Sequence, residues 1–91
     1  SGFRNDRVNK LVGGADKSQH RFGEAADISI PGVPVAEVVK AVKDLGLPYD
    51  QLIDEFGNTA NGWTHVSYSA LHRRQEMRAR KKNGKTVYTT V

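Results

Sequence analysis

The sequence predicts a single α+β domain in which one or two helices pack against a small antiparallel sheet. Valines recur at helical spacing in Val35–Leu45, and two short strand-like stretches, Gln51–Phe56 and Trp63–Tyr68, flank a turn. Asn83-Gly84 is a strong signal for a two-residue hairpin. Helices followed by several antiparallel strands are typical of the α+β class, and 91 residues allow one domain, spanning 1–91.

The first predicted element is a short helix over Arg7–Val12. Asn5 or Asp6 can accept the free N–H groups at its start, and Gly13-Gly14 ends it because glycine tolerates left-handed backbone angles. Ala15–Gly23 is predicted to be a loop. A helix this short depends on packing its apolar side against the rest of the domain.

A strand is predicted over Ala25–Ile30. Alternation places Ala25, Asp27 and Ser29 on one face and the more apolar residues on the other, and Pro31-Gly32 ends the strand. A lone carboxylate at Asp27 would be costly if buried among apolar neighbours, so the residue either binds a cation or faces solvent on an edge strand.

The clearest helix is Val35–Leu45, whose apolar residues share one face and whose charged residues lie opposite; Gly46 and Pro48 end it. After it, Gln51–Phe56 and Trp63–Tyr68 are predicted to pair across the turn Gly57–Gly62. The last two strands are predicted over Glu76–Lys82 and Lys85–Thr90, on either side of Asn83-Gly84.

Two histidines and an aspartate are candidate metal ligands. Two imidazoles and one carboxylate suit a catalytic zinc ion, which takes three protein ligands and keeps one position open for water. His20 precedes the strand that carries Asp27, and His65 lies on a later strand that can hold it beside Asp27. Iron and manganese also accept such ligands. The structural alternative is a surface His20 and a His65 that packs near Trp63.

These residues stand in a recognisable pattern. Ser18–Asp27 reads Ser-x-His-x-x-Gly-x-Ala-x-Asp, and Trp63–His65 reads Trp-x-His. Together they resemble the M15 family of zinc D-Ala-D-Ala peptidases, and most of all its small phage and bacterial peptidoglycan endolysins. Four further segments resemble that subgroup: Ser1-Gly2-Phe3-Arg4, Asn9 with Gly13-Gly14, Gln51–Phe56 and Arg73–Glu76.

The resemblance implies a hedgehog/DD-peptidase-like fold, one Zn²⁺ ion and hydrolysis of a peptide bond in peptidoglycan, of the D-Ala-D-Ala carboxypeptidase or endolysin type. It implies that His20, Asp27 and His65 bind the metal. Arg4 resembles the arginine that binds the substrate's carbonyl or carboxylate and can stabilise an oxyanion. Ser18 resembles a serine that contacts substrate, with loop capping as its structural alternative.

Glu55 is the candidate general base. In many relatives a glutamate three residues before the last histidine ligand takes this role, but that position is Gly62 here. The segment that resembles Gln-Leu-Ile-x-Glu-Phe offers Glu55 instead, and a regular strand turns the neighbouring Asp54 to the opposite face. The structural alternative for Glu55 is an exposed carboxylate on a strand.

Family members begin with a further helical region and strand, so the chain is expected to be truncated at its N-terminus. It contains no cysteine, which excludes disulfides and thiolate zinc sites. It contains neither a signal-peptide pattern nor an apolar run long enough to span a membrane. The location is left open between the bacterial cell wall or periplasm and the cytoplasm, for a phage lysin.

The net charge is +4, and the basic residues concentrate in the last quarter of the chain. They form either a solvated strand pair or a surface that attracts an anionic wall polymer; His72 among them is taken as a surface residue.

An inactive wall-binding module of the same fold is the alternative function. Nucleic-acid binding is not expected, because Tyr88 is the only aromatic residue in the final hairpin. The chain is expected to be monomeric.

Overall fold

A five-stranded sheet with helices on one face forms the fold. The computed structural model describes residues 8–12, 25–46, 49–69 and 73–91. Residues 8–12 are helical and belong to α1, and α2 is Val35–Asp44. The strands are β1 (Ala25–Ile28), β2 (Gln51–Glu55), β3 (Trp63–Ser67), β4 (Gln75–Lys82) and β5 (Lys85–Thr90), in the spatial order β1-β3-β2-β4-β5. The α+β class is confirmed.

Helix α2 forms where the valine spacing predicts it. Val35, Val38 and Val42 are buried on the side that faces the sheet. Gly46 follows the helix with a φ of 68°, a left-handed conformation that ends it. Leu45, which the sequence assigns to the apolar face, is instead the residue that caps the helix and is exposed.

The core lies between the helices and one face of the sheet. Ile28, Leu52 and Val66 project from three neighbouring strands to this face and join the buried valines of both helices. The predicted alternation in β1 is confirmed, because Ile28 is buried while Ala25 and Asp27 are exposed. The opposite face of the sheet is therefore available for a site.

One strand pair differs from the expectation of an antiparallel sheet. Strand β2 pairs with β4 in parallel, while the other three strand pairs are antiparallel. Gln51, at the start of β2, lies between Ser67, where β3 ends, and Gln75, where β4 begins. The chain therefore steps across the start of β2 and enters β4 in the direction of β2, which needs no long crossover.

The final hairpin forms where the sequence predicts it. Asn83 and Gly84 have φ values of 53° and 78°, as a type I′ turn requires. Lys82 and Lys85 are the first pair of the ladder, and every residue of β5 is exposed. Strands β1 and β5 are the two edges of the described sheet.

Some predicted features lie outside the described residues. They are the Asn5 or Asp6 cap and the Gly13-Gly14 stop of α1, the loop Ala15–Gly23, and Pro48. Within the part that is described, no helix is both long enough and apolar enough to cross a membrane.

Candidate metal centre and its surroundings

The candidate site lies on the sheet face that the helices leave uncovered. Asp27 on β1 is directly opposite His65 on β3, and His65 is directly opposite Ile53 on β2. Glu55 is two residues beyond Ile53 and therefore shares the same face. Asp27, His65 and Glu55 thus come from three adjacent strands and project to one side of the sheet.

Asp27 and His65 are in direct contact. Nδ1 of His65 lies 2.8 Å from Oδ1 of Asp27. Because an ionised carboxylate can only accept a hydrogen bond, Nδ1 carries the proton in this pair. The Asp27 side chain is 64% exposed and that of His65 is 31% exposed. Asp27 therefore has the solvent-facing, edge-strand position that the sequence left open, and the expected burial cost does not arise.

This pair fits two ligands of one zinc ion. Imidazole nitrogen and carboxylate oxygen are both zinc ligands, at about 2.0–2.2 Å from the metal. The contact between the two side chains shows that they reach the same place, where they would supply two of the protein donors of a zinc ion.

The third predicted ligand, His20, lies outside the described residues, as do Arg4 and Ser18. Across residues 8–12, 25–46, 49–69 and 73–91, no three His, Cys, Asp or Glu side chains come together as a metal site. The described part of the chain thus supplies two donors, and the full set of His20, Asp27 and His65 stays a prediction.

Glu55 is buried on the same face. It is 9% exposed, directly opposite Trp63 and one diagonal step from His65. Such diagonal neighbours on adjacent strands are about 7–8 Å apart. Its Oε1 is buried and has no hydrogen-bond partner among the described residues. An unpaired buried carboxylate oxygen is costly to desolvate, so it is suited to accept a hydrogen bond or proton from a bound molecule.

Asp54 points to the helix side of the sheet, as strand alternation predicts. Its carboxylate accepts hydrogen bonds from the Gly57 N–H at 2.8 Å and from the Arg80 guanidinium at 3.0 and 3.1 Å. The two adjacent carboxylates are therefore in different surroundings. Asp54 is held in a local network, whereas Glu55 shares a face with His65.

Gly62 is packed too tightly for a side chain. A Cβ atom at this position would overlap the carbonyl group of Phe56 and lie 2.9 Å from the carbonyl oxygen of Glu55. These are backbone atoms, which move less easily than the end of a side chain. Phe56 itself has a φ of 56°, uncommon for a bulky residue, and its carbonyl accepts the Thr59 N–H at 3.0 Å. The turn leaves no room for a glutamate at position 62.

An open cleft of roughly 330 Å³ is bordered by Trp63, the residue directly opposite Glu55. Phe56, Trp63 and Lys81 line it together with Thr59 and Asn61. The rings of Phe56 and Trp63 are 5.8 Å apart and tilted by 57°, and Nζ of Lys81 lies 5.8 Å from the centre of the Phe56 ring. Sequence reasoning missed this cleft, because the unusual backbone angle at Phe56 has no sequence signal.

Tyr88 is a second neighbour that sequence reasoning missed. It is directly opposite Ala79, which is directly opposite Glu55. The hairpin signal at Asn83-Gly84 predicts the pairing of Ala79 with Tyr88. The parallel pairing of β2 with β4, which brings Glu55 beside Ala79, has no such local signal.

Comparison with known proteins gives one match. The family model described as Peptidase M15 matches residues 1–67, which include α1, strands β1 to β3 and all the candidate site residues. No curated protein and no solved structure gives a significant match. The match ends with β3, so β4 and β5 lie beyond it.

Proposed function

The chain belongs to the peptidase M15 family, and we propose from this membership that it is a zinc-dependent metallopeptidase that hydrolyses a peptide bond in peptidoglycan. The proposed bond involves D-alanine, as in D-Ala-D-Ala carboxypeptidases and endolysins. The chain would form one M15-type domain over residues 1–91. A zinc ion held by His20, Asp27 and His65 would act as a Lewis acid and lower the pKa of water toward neutrality.

One observation supports this proposal most strongly. The Asp27–His65 pair and the buried Glu55 carboxylate project from neighbouring strands to one face of the sheet. A peptidase of this type needs metal ligands and a base within reach of the same water molecule. The exposed Asp27–His65 pair leaves room for a substrate, and Trp63, two residues before His65 on β3, lines the open cleft.

Glu55 is the proposed general base and acid. Its unpaired Oε1 would take a proton from the water that attacks the scissile carbonyl. The same oxygen would then give the proton to the departing amine, so the carboxylate is regenerated. Arg4 would bind the substrate's carbonyl or carboxylate oxygen and Ser18 would contact the substrate, as the family resemblance implies.

Digestion of purified peptidoglycan tests this function. The chain, incubated with one equivalent of zinc, should release new amino groups that mass spectrometry assigns to peptide cleavage. A chelator should abolish the release, and added zinc should restore it. Glu55→Gln is the matched control, because it should bind zinc and wall material without cleavage. Zinc and wall binding without release by the unaltered chain would instead support the alternative, an inactive wall-binding module.

A further inference from the structure

A row of four residues crosses the sheet beside the candidate site. Trp63, Glu55, Ala79 and Tyr88 lie directly opposite one another on β3, β2, β4 and β5. Residues that are paired in this way project to the same face. Ala79 is fully buried and has only a methyl side chain, so it leaves the space between Glu55 and Tyr88 open for the phenol ring.

Tyr88 and Glu55 interact electrostatically. The charge of Glu55 raises the pKa of the Tyr88 phenol, and partial burial and a hydrogen bond to Glu55 raise it further. The phenol therefore keeps its proton at neutral pH and can donate it to the carboxylate. The other titratable groups that the described strands place on this face are Asp27, His65 and Lys81. None of the three is in the row itself.

We propose that Tyr88 is a positioning residue for Glu55. Its hydroxyl donates to one oxygen of the carboxylate and fixes the side chain so that Oε1 stays directed at the substrate. This inference rests on the proposed role of Glu55 as general base. It adds a residue of β5 to the proposed site, and β5 lies beyond the part of the chain that matches the family.

Tyr88 lies on the edge strand β5, where it can hold the Glu55 carboxylate without being part of the core. The ring is 51% exposed, so it adds little to the core. A hydrogen bond to a charged group is stronger than one between neutral groups, and it favours the ionised form of the acceptor. Loss of the phenol should therefore free the Glu55 carboxylate to change its orientation, with little effect on folding.

The interaction is tested first without catalysis, in metal-free protein. Ultraviolet absorbance follows phenol ionisation between about pH 8 and 12, and the difference between wild type and Tyr88→Phe isolates Tyr88 from the other two tyrosines. In Glu55→Gln the Tyr88 phenol should ionise at lower pH than in wild type. Identical Tyr88 titrations in the two proteins would overturn the inference.

Kinetics provide the second test. Tyr88→Phe should lower kcat roughly tenfold, the scale of one hydrogen bond to a charged group, with KM within about twofold. Thr86→Val, a change on the same face of β5, is the control and should match wild type.

The outcomes separate the two proposals. If Glu55→Gln retains normal turnover, the proposed base is wrong and the role of Tyr88 falls with it. If Glu55→Gln is inactive while Tyr88→Phe keeps the wild-type kcat, the base assignment stands and the inference about Tyr88 is overturned. Thermal unfolding of Tyr88→Phe at the wild-type temperature would show that a kinetic change does not come from misfolding.

Discussion

Neighbouring carboxylates at positions 54 and 55 acquire different roles from their surroundings. Asp54 accepts hydrogen bonds from Gly57 and Arg80 and so ties β2 to the following turn and to β4. Glu55 keeps a buried, unpaired oxygen on the face that carries His65. A group already saturated with donors is poorly placed to take a further proton, whereas an unpaired oxygen is well placed.

Replacement of each carboxylate by its amide separates these roles. Glu55→Gln should keep zinc and lower turnover by roughly a hundredfold or more, the usual scale for loss of a general base. Asp54→Asn should retain turnover but unfold at lower temperature, because it weakens the contact with Arg80. Steady-state hydrolysis and thermal unfolding measure the two effects. Near-normal turnover in Glu55→Gln together with an inactive Asp54→Asn would reverse the assignment.

Gly62 offers a second test at the scale of one residue. Gly62→Ala should destabilise the protein by about 1–3 kcal/mol, the usual cost of adding atoms to a packed site. The added methyl would overlap the Phe56 backbone. Urea denaturation measures the change, and Asn61→Ala, in the exposed part of the same turn, is the control. Equal stability of Gly62→Ala and wild type would mean that the turn has room for a side chain.

At the scale of the elements, Asp50 joins three strands at one point. Its N–H donates to Ser67 at the end of β3, at 2.7 Å, and its carbonyl accepts the N–H of Gln75 at the start of β4, at 2.8 Å. Its carboxylate, 8% exposed, accepts three hydrogen bonds from Arg73. The parallel entry of β4 beside β2 therefore depends on a residue for which the sequence predicts no role.

This contact makes stability depend on pH. Hydrogen bonds from the Arg73 guanidinium hold the pKa of Asp50 well below its usual value of 3.8. A carboxylate whose pKa is lowered by folding stabilises the protein fully above its unfolded pKa, and that contribution is lost as the pH falls toward the folded pKa. Asp50→Asn should therefore be less stable than wild type at pH 7. The difference in the free energy of unfolding between the two proteins should shrink below about pH 4.

Urea denaturation at several pH values measures this difference in the free energy of unfolding. Asp44→Asn is the control, because it removes an exposed carboxylate 4.0 Å from Lys40, and exposed ion pairs contribute little. Asp44→Asn should be about as stable as wild type at every pH. A constant difference between Asp50→Asn and wild type from pH 7 to about pH 2 would contradict the proposed link to the ionisation of Asp50.

Local signals predicted the elements, and long-range contacts decided their arrangement. The valine spacing in α2 and the Asn83-Gly84 turn act within a few residues, so both were predictable. Neither the parallel pairing of β2 with β4 nor the contact of Arg73 with Asp50 has a periodic signal. The sequence also predicted that Asp27 and His65 could lie side by side, because both are metal-ligand types and each falls on a predicted strand. The sequence did not predict that Glu55 is buried, and only the structure shows it.

At the scale of the whole molecule, the basic residues from Arg73 to Lys85 divide into two groups. Arg73 and Arg80 are engaged with Asp50 and Asp54. Arg74 lies 5.5 Å from the ring centre of Tyr49, and Lys81 lies 5.8 Å from that of Phe56. The second group is exposed along the hairpin and consists of Arg78, Lys82 and Lys85. Only this second group is available for an anionic wall polymer without loss of internal contacts.

Wall binding should therefore depend on salt and on the exposed hairpin. Cosedimentation with purified wall carrying teichoic acid should weaken between about 50 mM and 500 mM salt, because salt screens exposed charges. Replacement of Lys82 and Lys85 by Gln should weaken low-salt binding severalfold, whereas Lys40→Gln on α2 should not. Binding that is unchanged by salt, or equal losses in the two variants, would exclude the hairpin as the wall-binding surface.

The stoichiometry of bound zinc tests the central claim most directly. Elemental analysis of the purified chain at pH 7, after removal of loosely bound metal, should give about one zinc ion per chain, since a catalytic site holds one ion through three protein ligands. His65→Ala should lose this zinc, whereas His72→Ala, at the histidine outside the proposed site, should retain it. Absence of stoichiometric zinc from the wild-type chain, or full retention in His65→Ala, would contradict the assignment of His20, Asp27 and His65 as the metal centre.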